Sequence, residues 1–226
     1  MSEIFSRARL RQSIAEIEFR YFRDRAQRAI IDRIAKFSRF GELKSEFGFR
    51  IDTSNGSDHI QINFGKRKLG VLDLEDKPAI EKGASLVYSL GRTGGIVACV
   101  LYPATSPLGS VAEDHIFLRV GTFSGQKLLS HLDSDLKDLI SYTFVSSLET
   151  SPSLRDRLRF FWLRLTHPQQ ISGNFVRPVT PSKLLASGFR FTAASLLVAM
   201  LRPLGVLIFS LLLIYLGLNY LTPHIH

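Results

Sequence analysis

The sequence predicts an α+β fold. Its core is a mainly antiparallel sheet of five or six strands with a long N-terminal helix and a covering helix, followed by a C-terminal transmembrane helix. Two observations lead to this reading. The apolar period is near 3.6 over residues 2–40, drops to 2 over 47–123 and returns to 3.6 over 125–149. Residues 203–221 then run without a single charge. Roughly 20 helical residues cross a bilayer core about 30 Å thick, and in water such a helix would be apolar on every face.

Charge divides the chain in the same places. The formal net charge of the 226 residues is +9. Residues 1–45 hold eleven Lys and Arg against six Asp and Glu, 46–150 hold ten against thirteen, and 151–226 hold eight against one. The expected organisation is a basic amphipathic helix (1–45), a mildly acidic α+β domain (46–150), a basic interfacial helix and linker (151–183), and a membrane-associated lead-in and anchor (184–226). The single cysteine, Cys99, has no partner for an internal disulfide, which fits a reducing compartment. Residues 1–11 are polar and basic, without the apolar segment of a signal peptide.

The elements follow in order. Leu10, Ile14, Ile17 and Tyr21 recur at helical spacing, and Phe22, Ala26, Ile30, Ile34 and Phe37 continue a neighbouring stripe as far as Gly41, a stop signal. A helix this long lies across the domain or pairs with a second copy. Phe47, Phe49 and Ile51 alternate with polar residues, as do Ile60, Ile62 and Phe64. The turn-rich run 53–58 makes them a hairpin. Residues 69–74 suggest a short strand. The runs 85–90 and 95–102 are stronger strands joined through Gly91-Arg92-Thr93-Gly94, and 96–101 reads as central and buried. Residues 103–113 read as loop and 115–123 as a further strand. Ser124 is an N-cap candidate for a helix that buries Leu128, Leu132, Leu136, Leu139 and Ile140.

The second basic helix covers 153–166 and is closed by Pro168. With Leu154 at zero on a wheel of 100° per residue, Leu158, Phe161 and Leu165 fall within about 40°, and Trp162 lies beside them. Arg155, Arg157, Arg159 and Arg164 flank that face, which is the pattern of a helix lying in a membrane interface and equally of one that docks its apolar face on the domain. Phe160 and Leu163 blur its polar side. Residues 169–182 read as a linker, with Gly173, Pro178 and Pro181. Residues 184–201 are apolar apart from Arg190 and a few small polar groups. Two topologies follow: one span at 203–221, or a hairpin of 184–201 plus 204–221. The hairpin would carry Arg202 across the membrane, against the positive-inside rule, so the single span is the expectation. Lys183, Arg190 and Arg202 then join the four helix arginines and Trp162 as membrane-interface residues. The N-terminal domain is expected in the cytoplasm, with residues 222–226 on the far side.

No motif for catalysis stands out. Asp73, Glu75 and Asp76 form an acidic cluster that could bind a divalent cation, but a solvated turn before Pro78 is the expected reading, and no resident cofactor or metal is expected. Asp114 and His115 are neighbours on a strand and point to opposite faces. The glycines at 91–95 match neither phosphate-loop spacing. Cys99 sits in the most apolar strand as a small buried hydrophobe. His224 and His226 are a two-residue tail motif. Lys66-Arg67-Lys68 and the basic first helix could form a nucleic-acid patch, but anionic lipid is the simpler partner. The expected partners are therefore a lipid bilayer and a protein or second copy, with nucleic acid disfavoured. The expected function is a non-enzymatic, membrane-anchored cytoplasmic interaction or regulatory module. A membrane-perturbing effector activated by self-association is one alternative, and a membrane-tethered enzyme acting on phosphate-containing substrates is another.

Overall fold

The computed structural model describes residues 3–53, 58–73, 76–91 and 94–176. They form an α+β unit with four helices and a large antiparallel sheet. The first helix, α1 (Glu3–Ile34), buries Ala15, Phe19, Phe22, Ala26, Ile30 and Ile34 at spacings of three and four. Leu10, Ile14 and Ile17 of the earlier stripe are exposed instead. The two stripes lie on opposite sides of the helix, and the domain takes the side that carries the phenylalanines.

A turn follows Ile34, and α2 (Phe40–Phe47) begins before the expected stop at Gly41. Phe40, Leu43 and Phe47 are buried together at helical spacing. Phe47 is thus the last helical residue and not a strand residue. Gly48, at φ 72°, makes the exit, a conformation that glycine adopts without steric cost.

Eleven strands follow: β1 (Phe49–Asp52), β2 (His59–Phe64), β3 (Lys66–Leu72), β4 (Pro78–Lys82), β5 (Ser85–Gly91), β6 (Ile96–Tyr102), β7 (Thr105–Ser106), β8 (Gly109–Ser110), β9 (His115–Gly121), β10 (Gln169–Ile171) and β11 (Asn174–Val176). They make two sheets rather than one. The larger has the order β1-β2-β5-β6-β9-β10-β11 and the smaller β3-β4-β7-β8. The strand β6 is central, as its apolar run implies. The basic triplet at 66–68 belongs to β3, and the loop expected at 103–113 contains β7 and β8.

The linker expected after Pro168 instead opens with a hairpin that extends the large sheet. Its turn residues Ser172 and Gly173 have φ of 49° and 79°, the left-handed pair that a two-residue hairpin turn requires. Within β9, Phe117 pairs with Val100 and Arg119 with Cys99, so Leu118 is an extra residue. This bulge keeps Arg119 on the same face as Ile116.

One face of the large sheet forms the core. Ile62, Leu86, Leu101 and Ile116 are successive cross-strand partners and are all fully buried. Over them lie α1 and α3 (Gly125–Ser146), capped by Ser124 as expected. The two helices approach closely at Gly125, where a Cβ would lie 2.6 Å from the Glu18 carbonyl oxygen. Then comes α4 (Leu154–Thr166), which packs on α3 and β9. Among the described residues no helix is long and apolar enough to cross a membrane. The expected span at 203–221 and its lead-in at 184–201 lie outside them.

Candidate functional site

Local chemistry sets both ends of α4. Ser153 accepts from the Asp156 backbone N–H, and the Asp156 carboxylate accepts from the Ser153 N–H, which makes a reciprocal capping box. At the other end His167 leaves the helix in extended conformation before Pro168. Asp156 has two further tasks. It accepts from the Ser141 hydroxyl at 2.8 Å and pairs with Arg39 at 2.6 Å. Burial pushes its carboxyl up, but the bonds from Ser153 and Ser141 and the Arg39 charge outweigh this and hold it below the usual range.

Two more ion pairs fasten the helix. Arg159 pairs with the buried Asp138 of α3, and Arg164 with the buried Glu113 ahead of β9. Burial raises the Asp138 carboxyl and the Arg159 hydrogen bond opposes that rise. Arg164 also lies over the Phe160 ring at 4.2 Å, and Phe160 packs on Tyr142 with ring centroids 5.1 Å apart. The residues of α4 buried against the domain are Asp156, Phe160 and Leu163. These occupy about 180° to 240° on the wheel, and they include the two residues that blurred its polar side.

The docked face is therefore opposite to the wide apolar face. Leu154 is 73% exposed, Leu158 53%, Phe161 57% and Trp162 56%. Four large apolar side chains on the outside of one 13-residue helix are more than the scattered apolar residues of an ordinary surface. The flanking arginines divide. Arg159 and Arg164 are engaged in the ion pairs just described, whereas Arg155 and Arg157 are exposed and form no ion pair among the described residues. Beside this face a groove of about 460 Å³ runs between α3 and α4. Phe37, Arg39, Lys137, Arg155, Leu158 and Arg159 contribute to its walls. Lys183, Arg190 and Arg202 lie outside the described residues.

The other candidates are placed as follows. Asp73 sits in the β3–β4 turn, where its carboxylate accepts from the Lys77 backbone N–H at 3.0 Å, and Asp76 has φ of 57° in the same turn. Glu75 lies outside the described residues, as do His224 and His226. Among the described residues no three His, Cys, Asp or Glu side chains group as metal ligands. The Asp114 carboxylate accepts from the Gly173 N–H of the last hairpin, while the His115 ring packs between Tyr102 and Phe117. In the basic triplet, Arg67 is paired with the buried Glu81 and lies over the Phe47 ring.

One buried polar cluster escapes a reading by motif. The Asp135 carboxylate accepts from the Tyr88 hydroxyl at 2.8 Å and pairs with Arg119 at 2.9 Å, and the Cys99 thiol points at it from 3.8 Å. Burial pushes the Asp135 carboxyl up to about 6 against the opposing Arg119 charge. Burial also raises the Cys99 thiol, and the Asp135 charge adds to this. A thiol so held is not a nucleophile at neutral pH. Asp135 is fully buried, so the cluster joins α3 to the sheet and presents no reactive atom to solvent. A wheel carried the signal for it, since Asp135 lies within about 60° of Leu132 and 40° of Leu139. Nothing in the sequence marked Lys137, whose place beside Arg155 depends on how α3 and α4 pack.

Compared with protein-family models, characterised proteins and solved structures, the chain matches none.

Proposed function

We propose that this chain is a membrane-anchored cytoplasmic interaction or regulatory module, non-enzymatic, held by a span at 203–221 and lying against the membrane through α4. The observation that carries the reading is the outward face of Leu154, Leu158, Phe161 and Trp162, flanked by Arg155 and Arg157. A helix that docks through its narrow side and keeps its wide apolar side outward has a second surface to meet. The uncharged run at 203–221 supplies a membrane within the same chain. The lysines and arginines that precede that run keep the domain on the cytoplasmic side. The exposed Leu10, Ile14 and Ile17 of α1 give the module a candidate face for a protein partner or a second copy.

Fractionation of cells expressing the full chain tests this. The protein is expected in the membrane pellet after an alkaline carbonate wash. The double substitution Leu212→Arg and Ile214→Arg places two charges at the middle of the span, each costing about 3 kcal/mol on insertion, and is expected to release it. A full chain that carbonate extracts as readily as this variant overturns the anchor.

A further inference from the structure

We infer that the groove between α3 and α4 is a seat for the headgroup of an anionic phospholipid, with Lys137 and Arg155 as its cationic contacts. The inference rests on the membrane reading above and names the lipid class that α4 would meet.

Among the four cations around the groove, two are already neutralised: Arg39 by Asp156 and Arg159 by Asp138. Lys137 and Arg155 are exposed and have no ion-pair partner among the described residues, so the groove carries a local positive excess. Its edge is apolar, because Leu158 belongs both to the groove and to the outward face. A ligand that fits this border needs an anionic group of modest size joined to a long apolar body. A phospholipid has that form: its phosphate meets Lys137 and Arg155, while its chains run along Leu154, Leu158 and Phe161. Arg157 lies on the other flank of the same face and meets neighbouring headgroups. Each such cation near an anionic surface contributes about 1 kcal/mol, roughly fivefold in occupancy. Three ion pairs that tie α4 to different parts of the domain fix its rotation, and so keep groove and apolar face on one side.

Trp162 is the only tryptophan in the chain and stands on this face, so it reports contact directly. The full chain is placed in lipid nanodiscs of neutral phosphatidylcholine, or of the same lipid with a minority of phosphatidylglycerol. In the anionic discs Trp162 emission is expected to shift to the blue and to be quenched by bromine on the lipid chains. Lys137→Glu combined with Arg155→Glu is expected to return the quenching to the level of neutral discs, with the chain still retained in the discs. The proposal is overturned if Trp162 stays as open to aqueous acrylamide in anionic discs as in neutral ones. It is also overturned if the double variant is quenched like the parent chain. Shielding from acrylamide without bromine quenching, together with a doubled particle mass, would assign the face to a second copy and overturn it too. A chain that carbonate strips from the discs overturns the anchor alone, and Trp162 quenching before the wash then still decides the headgroup.

Discussion

At the residue scale Asp135 carries the most information. Its carboxyl is raised to about 6 by burial, against about 3.9 in an unfolded chain. The native state therefore holds the proton more tightly than the unfolded state between these values. Stability is expected to fall as pH rises from about 4 to about 6, by up to about 3 kcal/mol, because each tenfold difference in proton affinity is worth about 1.4 kcal/mol. Unfolding of the detergent-solubilised chain at a series of pH values measures this, and Asp135→Asn should flatten the profile. A profile unchanged by that substitution would remove Asp135 as its source. Asp135→Ala should cost about 3 kcal/mol at neutral pH, because it leaves Tyr88 and Arg119 facing a void. Residue type favours a solvated aspartate here, since carboxylates are seldom fully buried unless paired, while its place on the apolar side of the α3 wheel points inward. The partner, Arg119, faces inward because of the Leu118 bulge, which strand alternation does not announce.

Helices were legible as elements, and so was the docked face of α3, whose Leu128, Leu132, Leu136, Leu139 and Ile140 are all buried. The docked face of α4 was not. Periodicity finds α4 and its wide apolar side, yet an apolar side is as suited to a membrane as to a core. What decides its rotation is the set of carboxylates on α3, before β9 and in its own cap, which belong to the tertiary structure. Two sets of variants check this. Phe160→Ala or Leu163→Ala should cost about 2–4 kcal/mol in thermal or denaturant unfolding, whereas Leu158→Ser or Phe161→Ser should stay within about 0.5 kcal/mol. Arg159→Ala should cost about 2 kcal/mol because it leaves Asp138 buried and unpaired, and Arg157→Ala close to nothing. Equal costs on both faces would mean that α4 is rotated otherwise. The α1–α3 contact offers a similar check. Gly125→Ala should destabilise by about 1–3 kcal/mol, because the new methyl group meets Glu18 backbone and the Tyr21 ring.

For the molecule as a whole, the switch of period located the α+β domain and the centre of its sheet. The second sheet was not legible, because β7 and β8 have two residues each and leave no period to read. The last hairpin was missed for a different reason. Its Ser172-Gly173 turn was visible, but the prolines that follow suggested a linker, and three-residue strands are too short to outweigh them. Closure of the whole domain has a built-in reporter in Cys99, which is 1% exposed with its thiol raised by burial. Labelling by a disulfide reagent at neutral pH should require global unfolding and accelerate with urea as the unfolded population grows. Fast labelling of the native chain would show that the domain opens locally at β6.

The attachment of α4 has a thermal consequence. Only two large apolar side chains hold it, Phe160 and Leu163, beside three ion pairs. Hydration of charged groups becomes less favourable as temperature rises, so the desolvation cost of such pairs declines on warming. The stabilisation from each unit of buried apolar surface, in contrast, plateaus as temperature rises. The contact between α4 and the domain should thus weaken less on warming than an apolar contact of the same size. Amide exchange in α4 relative to α3 across a temperature series would display that difference as a gap that does not widen with heat.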